Sequence, residues 1–255
     1  MIQTITPASE GLACLETYFD KIYVISLRRA TDRQRDVERL LNGLPYEFFW
    51  AVDKQHLDRD ELIRNGVYDD VAARRPQFRH RHGMGLGQIA CSLSHRLLHE
   101  TIVREGYERV LIFEDDVVPV EAHLSQVRQA LAELPADWEL LYLGYRKHET
   151  VTSLMRMKQQ LYKVLSPLGL VRWTSREARH FLPRPYSARL RRAGLHDCTH
   201  AYALSRAGAQ QLLAAHQPIV AHIDSFISYQ VLNGQLNAFV SVPSFFDQVG
   251  DSYAN

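Results

Sequence analysis

Residues 109–119 read RVLIFEDDVVP, and how that stretch is read decides the fold. Val110, Leu111, Ile112 and Phe113 form a short apolar run of the kind that sits inside a sheet. The run meets Glu114, Asp115 and Asp116 with no turn residue between. Carboxylates packed that closely repel one another and resist burial, so something must offset the cost. Along an extended segment side chains alternate, which sends Glu114 and Asp116 to one face and Asp115 to the other.

Outward from this strand the pattern is α/β. KIYVIS (21–26) is a β-branched and aromatic run, and YEFFWAV (46–52) is a second strand. Between them TDRQRDVERLLNG carries Thr31 and Gln34 at capping-box spacing, an apolar face of Val37, Leu40 and Leu41, and a stop at Gly43. That β-α-β opening implies a parallel sheet with a helix on one face. Residues 53–86 are polar and irregular, and Ile89, Leu93, Leu97, Ile102 and Val103 then mark one helical stripe over 88–105, ended by Gly106. A helix over about 121–133, the strand WELLYLG (138–144) and a helix near 153–165 follow. The end holds the strand HAYAL (200–204), the helix SRAGAQQLLAAH, the helix DSFISYQVLNG starting on Asp224, and the strand NAFVSV. The expectation is one α/β domain over 1–255, with a mixed, mainly parallel central sheet flanked by helices and a long irregular insertion at about 145–196 that faces the acceptor or a membrane.

Composition narrows the function. A hydrophobic fraction of 46% and a charged fraction of 23% are those of an ordinary globular protein. A formal net charge of +1 argues against bulk electrostatic binding to nucleic acid. Cys14, Cys91 and Cys198 form no CxxC pair, so the residues outline neither a disulfide framework nor a zinc knuckle; a reducing compartment fits, with a bridge between two of them, such as Cys91 and Cys198, left open. The first residues lack a basic and then apolar leader pattern, and no apolar run reaches the roughly 20 residues that span a bilayer. The expectation is a cytoplasmic protein, with peripheral contact to the inner face of the cytoplasmic membrane left open.

In open α/β sheets the carboxyl ends of strands border the ligand crevice. Two oxygen-rich side chains on one face there make a half-site for Mg²⁺ or Mn²⁺, which commonly bridges carboxylates to substrate phosphates. The plain alternative is a solvated loop or a helix start that favours negative charge.

The strand-then-EDD arrangement resembles the DXD-type motif of GT-A glycosyltransferases, and further segments resemble one branch of them, glycosyltransferase family 25. This is the family of lipooligosaccharide biosynthesis glycosyltransferases related to collagen galactosyltransferases. KIYVISLRRATDR resembles its opening strand and Arg-rich turn, and GLGQIACSLSHRLLHE its Gly-x-x-x-Cys-x-x-Ser-His helix. DCTHAYALSRAGAQQLL resembles its Thr-x-x-Tyr strand and Ser-x-x-Gly-Ala helix, and HIDSFI its short Asp-containing segment. These landmarks occur in family order from about 21 to 252; Ser26 stands where the family has Asn, and 145–196 matches nothing. The resemblance implies a GT-A-like, Rossmann-related fold. It also implies inverting transfer of a hexose, galactose or glucose, from a UDP-sugar donor to a lipooligosaccharide or other saccharide or glycolipid acceptor.

On that reading Asp116 holds the metal directly, while Glu114 contributes through water or to the donor ribose and Asp115 orients backbone or a basic neighbour. A divalent cation neutralises the diphosphate leaving group as a Lewis acid. Asp224, a lone carboxylate among apolar residues, is the expected base; its alternative is an N-cap for the helix that follows. Arg28, Arg29 and Arg33 sit in the first βα turn, suited to donor phosphates or simply solvated. His95 and His99 are four apart on a helix, but Arg96 stands where a metalloprotease motif has Glu, so zinc is rejected. Ser94 and His95 are given a donor-site role, and His200 and His222 stand as additional metal or diphosphate contacts.

Two basic clusters, Arg74, Arg75, Arg79, His80, Arg81, His82 and then Arg184, Arg189, Arg191, Arg192, are either solvated loops or contacts to an anionic lipid surface. Phe78, Trp173, Phe181 and Tyr186 interleave with them. Two other classes remain: a metal-dependent phosphohydrolase, for which FEDDVVP offers too few ligands, and a noncatalytic scaffold that binds nucleotide sugars.

Overall fold

The structure, a computed structural model, describes residues 7–75, 78 and 82–249. Its strands are β1 (Lys21–Ser26), β2 (Glu47–Trp50), β3 (Arg109–Glu114), β4 (Val117–Pro119), β5 (Leu140–Arg146), β6 (Arg184–Pro185), β7 (Leu190–Arg192), β8 (Asp197–Ser205), β9 (Ala238–Ser241) and β10 (Phe246–Gln248). Eight form one sheet in the order β2-β1-β3-β8-β5-β9-β7-β6, and β4 pairs with β10 in a separate ribbon. Six of the eight run in one direction; β8 and β7 run against them. The sheet is therefore mixed and mainly parallel, as expected.

The apolar run of β3 earns its central place because both faces of the sheet are covered. Leu111 and Phe113 join a core with Leu15, Val24, Val37 and Phe239. Val110 and Ile112 join another with Tyr23, Leu98, Tyr202 and Ile227. The helix Thr31–Leu40 lies on the first face, and the helices Leu86–Glu105, Arg206–Ala215 and Ile223–Leu232 on the second.

Several local expectations are corrected. Thr31 is the first helical residue and Ala30 is the N-cap, with no side-chain cap, so there is no capping box. Gln34 instead donates its amide to Leu27 O at 2.8 Å, tying the helix to the turn after β1. The helix expected over 121–133 is broken into Glu121–Leu124 and Val127–Ala132. Residues 53–86, expected to be irregular, include the helices Arg59–Arg64 and Asp70–Ala73. Within 145–196 the helix expected near 153–165 is present as Ser153–Leu165, while the helix Ser175–His180 and the edge strands β6 and β7 give order where none was expected. The helix Pro7–Tyr18 was not anticipated.

Candidate active site

Three parallel strands, β2, β1 and β3, finish together: Ser26 is level with Trp50, and Ile25 with Glu114. β8 runs antiparallel beside β3, with Phe113 opposite Ala201, so the start of β8 arrives at the same end. These four strand ends and the turns that leave them share one end of the sheet, the end where open α/β folds bind their ligands.

Asp115 and Glu114 face opposite ways, as alternation requires. Asp115 is buried, accepts 2.7 Å from Ser26 Oγ, and pairs with Arg33 Nη1 at 2.6 Å. It locks the β1 turn to the acidic turn. Glu114 faces the helix Leu86–Glu105, where Thr199 Oγ1 donates to Glu114 Oε1 at 2.6 Å and His95 Nε2 lies 3.5 Å from the same oxygen. Burial alone would raise Glu114, but His95 and Thr199 hold it well below the usual carboxylate range. Burial likewise depresses His95, and its contacts with Cys91 and Glu114 overcome this and raise it.

Asp116 differs. Its Oδ1 is buried with no hydrogen-bond partner. Burial and the neighbouring Glu114 push its carboxyl up to about 7, with Arg33 pulling the other way. An orphaned carboxylate oxygen beside a second carboxylate fits a hard divalent cation, which would satisfy the oxygen and relieve the repulsion. Among the described residues no group of three His, Cys, Asp or Glu side chains forms a metal cage. The donor set suits an ion that takes its remaining ligands from water and substrate phosphate.

The other sequence candidates lie in separate places around this end of the sheet. Arg28 stacks over the Trp50 ring at 4.5 Å and Arg29 pairs with Asp53 at 2.6 Å, so both border the crevice beside Arg33. Ser94 Oγ accepts from Val52 N at 2.8 Å and donates to Ala90 O at 2.7 Å, fixing the chain after β2. His95 Nδ1 and His99 Nε2 flank the Tyr202 hydroxyl at 2.8 and 2.9 Å. Burial and the neighbouring His95 and His216 lower His99, in the opposite sense to His95. His200 contacts Phe246 O at 3.4 Å through Nε2, and its Nδ1 is buried without a partner.

Asp224 lies in the first turn of Ile223–Leu232, whose N-cap is His222; it is not the N-cap itself, yet its Oδ1 accepts the Ser225 backbone N–H, so it serves an orphan amide of the helix start as the capping alternative supposed. His222 Nδ1 is 2.7 Å from Asp224 Oδ1, and Cys198 N donates to Oδ2 at 3.4 Å. Burial raises Asp224, yet His222 holds it far below the carboxylate range. Cys198 adopts φ +70°, a left-handed backbone rare for a side-chain-bearing residue and typical of functional sites. Cys91 touches both His222 and His95; burial raises its thiol and those two groups pull it below its ordinary value. Electrostatic contacts thus link Asp224, His222, Cys91 and His95 in turn, and His95 Nε2, which has no hydrogen-bond partner, lies 3.5 Å from Glu114 Oε1. All three cysteines are free thiols.

Sequence reasoning missed Ser26, Trp50, Asp53, Cys91, Thr199 and Tyr202. Cys91, Thr199 and Tyr202 stand in the motifs quoted for the resemblance, which was the available signal; Trp50 and Asp53 join the site only through the pairing of β1 with β2. Of the basic clusters, Arg74 pairs with Asp70 and Arg189 with Glu133, and Arg192 covers the Tyr186 and Phe239 rings. Arg79, His80 and Arg81 lie outside the described residues.

Carboxylates and arginines gathered at the carboxyl ends of parallel strands stand where open α/β sheets place their ligand sites. The chain belongs to glycosyltransferase family 25 (LPS biosynthesis protein), whose model matches residues 19–227. It is 32% identical over 133 residues to a Glycosyltransferase 25 family member of Drosophila melanogaster, covering 50% of this chain and 21% of that one. It is 30% identical over 224 residues to the human Inactive glycosyltransferase 25 family member 3, covering 82% and 31%. Mouse Procollagen galactosyltransferase 2 is 26% identical over 207 residues, covering 77% and 28%. The chain thus spans 21–31% of the length of these relatives. Likeness to the crystal structure of A197 from STIV, at TM-score 0.34 and 10% identity over 92% of this chain and 96% of that one, is too slight to carry an argument.

Proposed function

We propose that the chain is a metal-assisted, inverting glycosyltransferase that moves a hexose from a UDP-sugar to a saccharide acceptor such as a lipooligosaccharide. The observation that carries this reading is the buried, unpartnered Oδ1 of Asp116 beside Glu114 at the end of β3. Asp116 would hold Mn²⁺ or Mg²⁺ directly, with Glu114 behind it. The cation supplies charge neutralisation to the leaving diphosphate.

The chain's own residues do the rest. Arg28, Arg29 and Arg33 set positive charge along the crevice edge, where diphosphate oxygens accept from guanidinium. Trp50, held by Arg28, offers a ring on which a base stacks. Asp115 fixes Arg33, and Thr199 with His95 fixes the Glu114 carboxylate. Asp224 accepts the proton of the attacking acceptor hydroxyl. His222 keeps it ionised, the state a base needs, at a cost in basicity.

Calorimetry of UDP, GDP and CMP with and without Mn²⁺, on the wild type and Asp116→Ala, tests the donor site. The reading requires UDP binding that needs both Mn²⁺ and Asp116; metal-independent binding refutes it. If Asp224→Asn retains most of the transfer rate, Asp224 is not the base. A relative described as inactive, at 30% identity, favours a second reading: a noncatalytic nucleotide-sugar binder. Turnover separates the two, since a scaffold binds UDP-sugar and leaves it intact; phosphate release without acceptor would instead mark a phosphohydrolase.

A further inference from the structure

We propose that the outer face of the helix Ser153–Leu165, continued to Leu170, is a docking surface for an anionic lipid bilayer. Leu154, Met157, Leu161, Val164, Leu168 and Leu170 are each 53–67% exposed. The first four are three or four residues apart on the helix and so line one face, and Leu168 follows in the short 3-10 turn Ser166–Leu168. The opposite face is already committed. Met155 and Tyr162 pack against Phe181, Leu182, Leu195 and Leu232, and Gln159 donates to Ala178 O and Arg179 O at 3.1 Å each. The helix is therefore pinned to the body by one side and presents large apolar side chains to solvent from the other, a contiguous patch of the kind that marks an interaction surface.

Charge selects the occupant. Residues 150–176 hold five Lys and Arg, namely Arg156, Lys158, Lys163, Arg172 and Arg176, and no Asp or Glu. The whole chain is +1, so the remainder is net −4 and this segment is a local positive island. A second copy docking face to face would set one such island against another, which opposes self-association. A bilayer with anionic headgroups takes the apolar stripe into its interface and the basic side chains among its phosphates. No helix among the described residues is long and apolar enough to cross a membrane, so the contact lies in the interface plane. This helix packs on Ser175–His180, which in turn packs on Ile223–Leu232, the helix carrying Asp224. The contact lies apart from the two basic clusters considered from sequence; within this segment Lys158 lies over the Tyr162 ring and Arg172 over the Trp173 ring, at the edge of the apolar stripe. It does not depend on the glycosyltransferase reading.

The test is co-sedimentation of the full chain with vesicles of phosphatidylcholine alone and of an equal mixture with phosphatidylglycerol, alongside sedimentation velocity without lipid. The expected result is a monomer that binds the anionic vesicles and not the neutral ones. Met157→Asp with Leu161→Asp, at exposed positions, should cut that binding about tenfold with an unchanged melting temperature. A second variant, Arg156→Gln with Lys158→Gln, should weaken it while leaving the apolar stripe intact. No vesicle binding, equal binding to neutral vesicles, equal binding by the folded Asp variant, or a wild-type dimer that the Asp variant dissolves would each overturn the proposal.

Discussion

Thr199 Oγ1 donates a 2.6 Å hydrogen bond to Glu114 Oε1, joining the start of β8 to the end of β3. The contact exists because β8 is antiparallel within a sheet whose other central strands are parallel. A strand running the other way delivers its first residues, rather than its last, to the crevice.

Thr199→Val removes that donor and leaves a carboxylate oxygen with only the distant His95. A hydrogen bond to a charged group is worth about 1.5–3 kcal/mol, so Mn²⁺-dependent UDP affinity should fall roughly tenfold or more. Thr199→Ser should restore most of it. Calorimetry on the three proteins decides; equal affinity in Thr199→Val would show that the contact only supports the fold.

Gly144 tests how tightly the site and the sheet are interlocked. A Cβ there would lie 2.4 Å from His200 Nε2 and 2.8 Å from Phe246 O, so β5, β8 and β10 cannot keep their spacing around a larger residue. Gly144→Ala should cost about 1–3 kcal/mol by overpacking, which lowers the melting temperature by roughly 2–4 °C per kcal/mol. A melting temperature at or above that of the wild type would contradict this packing.

The His222–Asp224 pair gives stability a pH window. His222 is raised well above its ordinary 6.5, because its contact with Asp224 outweighs burial, so its contribution is full below 6.5 and lost as pH climbs through the raised value. Asp224 is lowered from 3.8, because the same partner outweighs burial, so its contribution is full above 3.8 and lost as pH falls. The pair should therefore stabilise most between about pH 4 and 6.5. Melting temperatures measured across pH should fall on both sides of that window in the wild type, and more shallowly in His222→Gln. Parallel curves would mean the pair does not hold the helix start.

The sheet was legible because β1, β3 and the helix Leu86–Glu105 carry long, unbroken patterns. The strands β6 and β7 were not, since two and three residues are too few to show a period. The site was legible where chemistry is concentrated in sequence, at Glu114 to Asp116 and in the Arg turn. It was hidden where a role depends on pairing between distant strands: Ser26 meets Asp115 and Arg29 meets Asp53 only because β1 lies between β2 and β3. Thr31 and Gln34 had the spacing of a capping box, yet Gln34 reaches Leu27 O because that carbonyl sits at the end of a strand that needs closing.

Asp116 is where stability and function should diverge. Its carboxyl, raised from 3.8 to about 7 by burial and by Glu114, is a charge the fold carries at a loss. Between those values the folded state holds a proton that the unfolded state has released, so wild-type stability declines as pH rises towards 7 and stays lower above it. Asp116→Asn removes the charge, leaves a group that donates as well as accepts, and should melt higher than the wild type at pH 8 without metal, by about 1–2 kcal/mol in stability after discounting for solvent. At pH 4, where both side chains are neutral, the two should melt together. Adding Mn²⁺ should reverse the order at pH 8, raising the wild type and leaving Asp116→Asn unmoved. Scanning calorimetry at the two pH values, with and without Mn²⁺, makes the comparison. A variant that melts lower than the metal-free wild type at pH 8 would mean Asp116 is paid for inside the protein, and that the orphaned oxygen has a partner other than a cation.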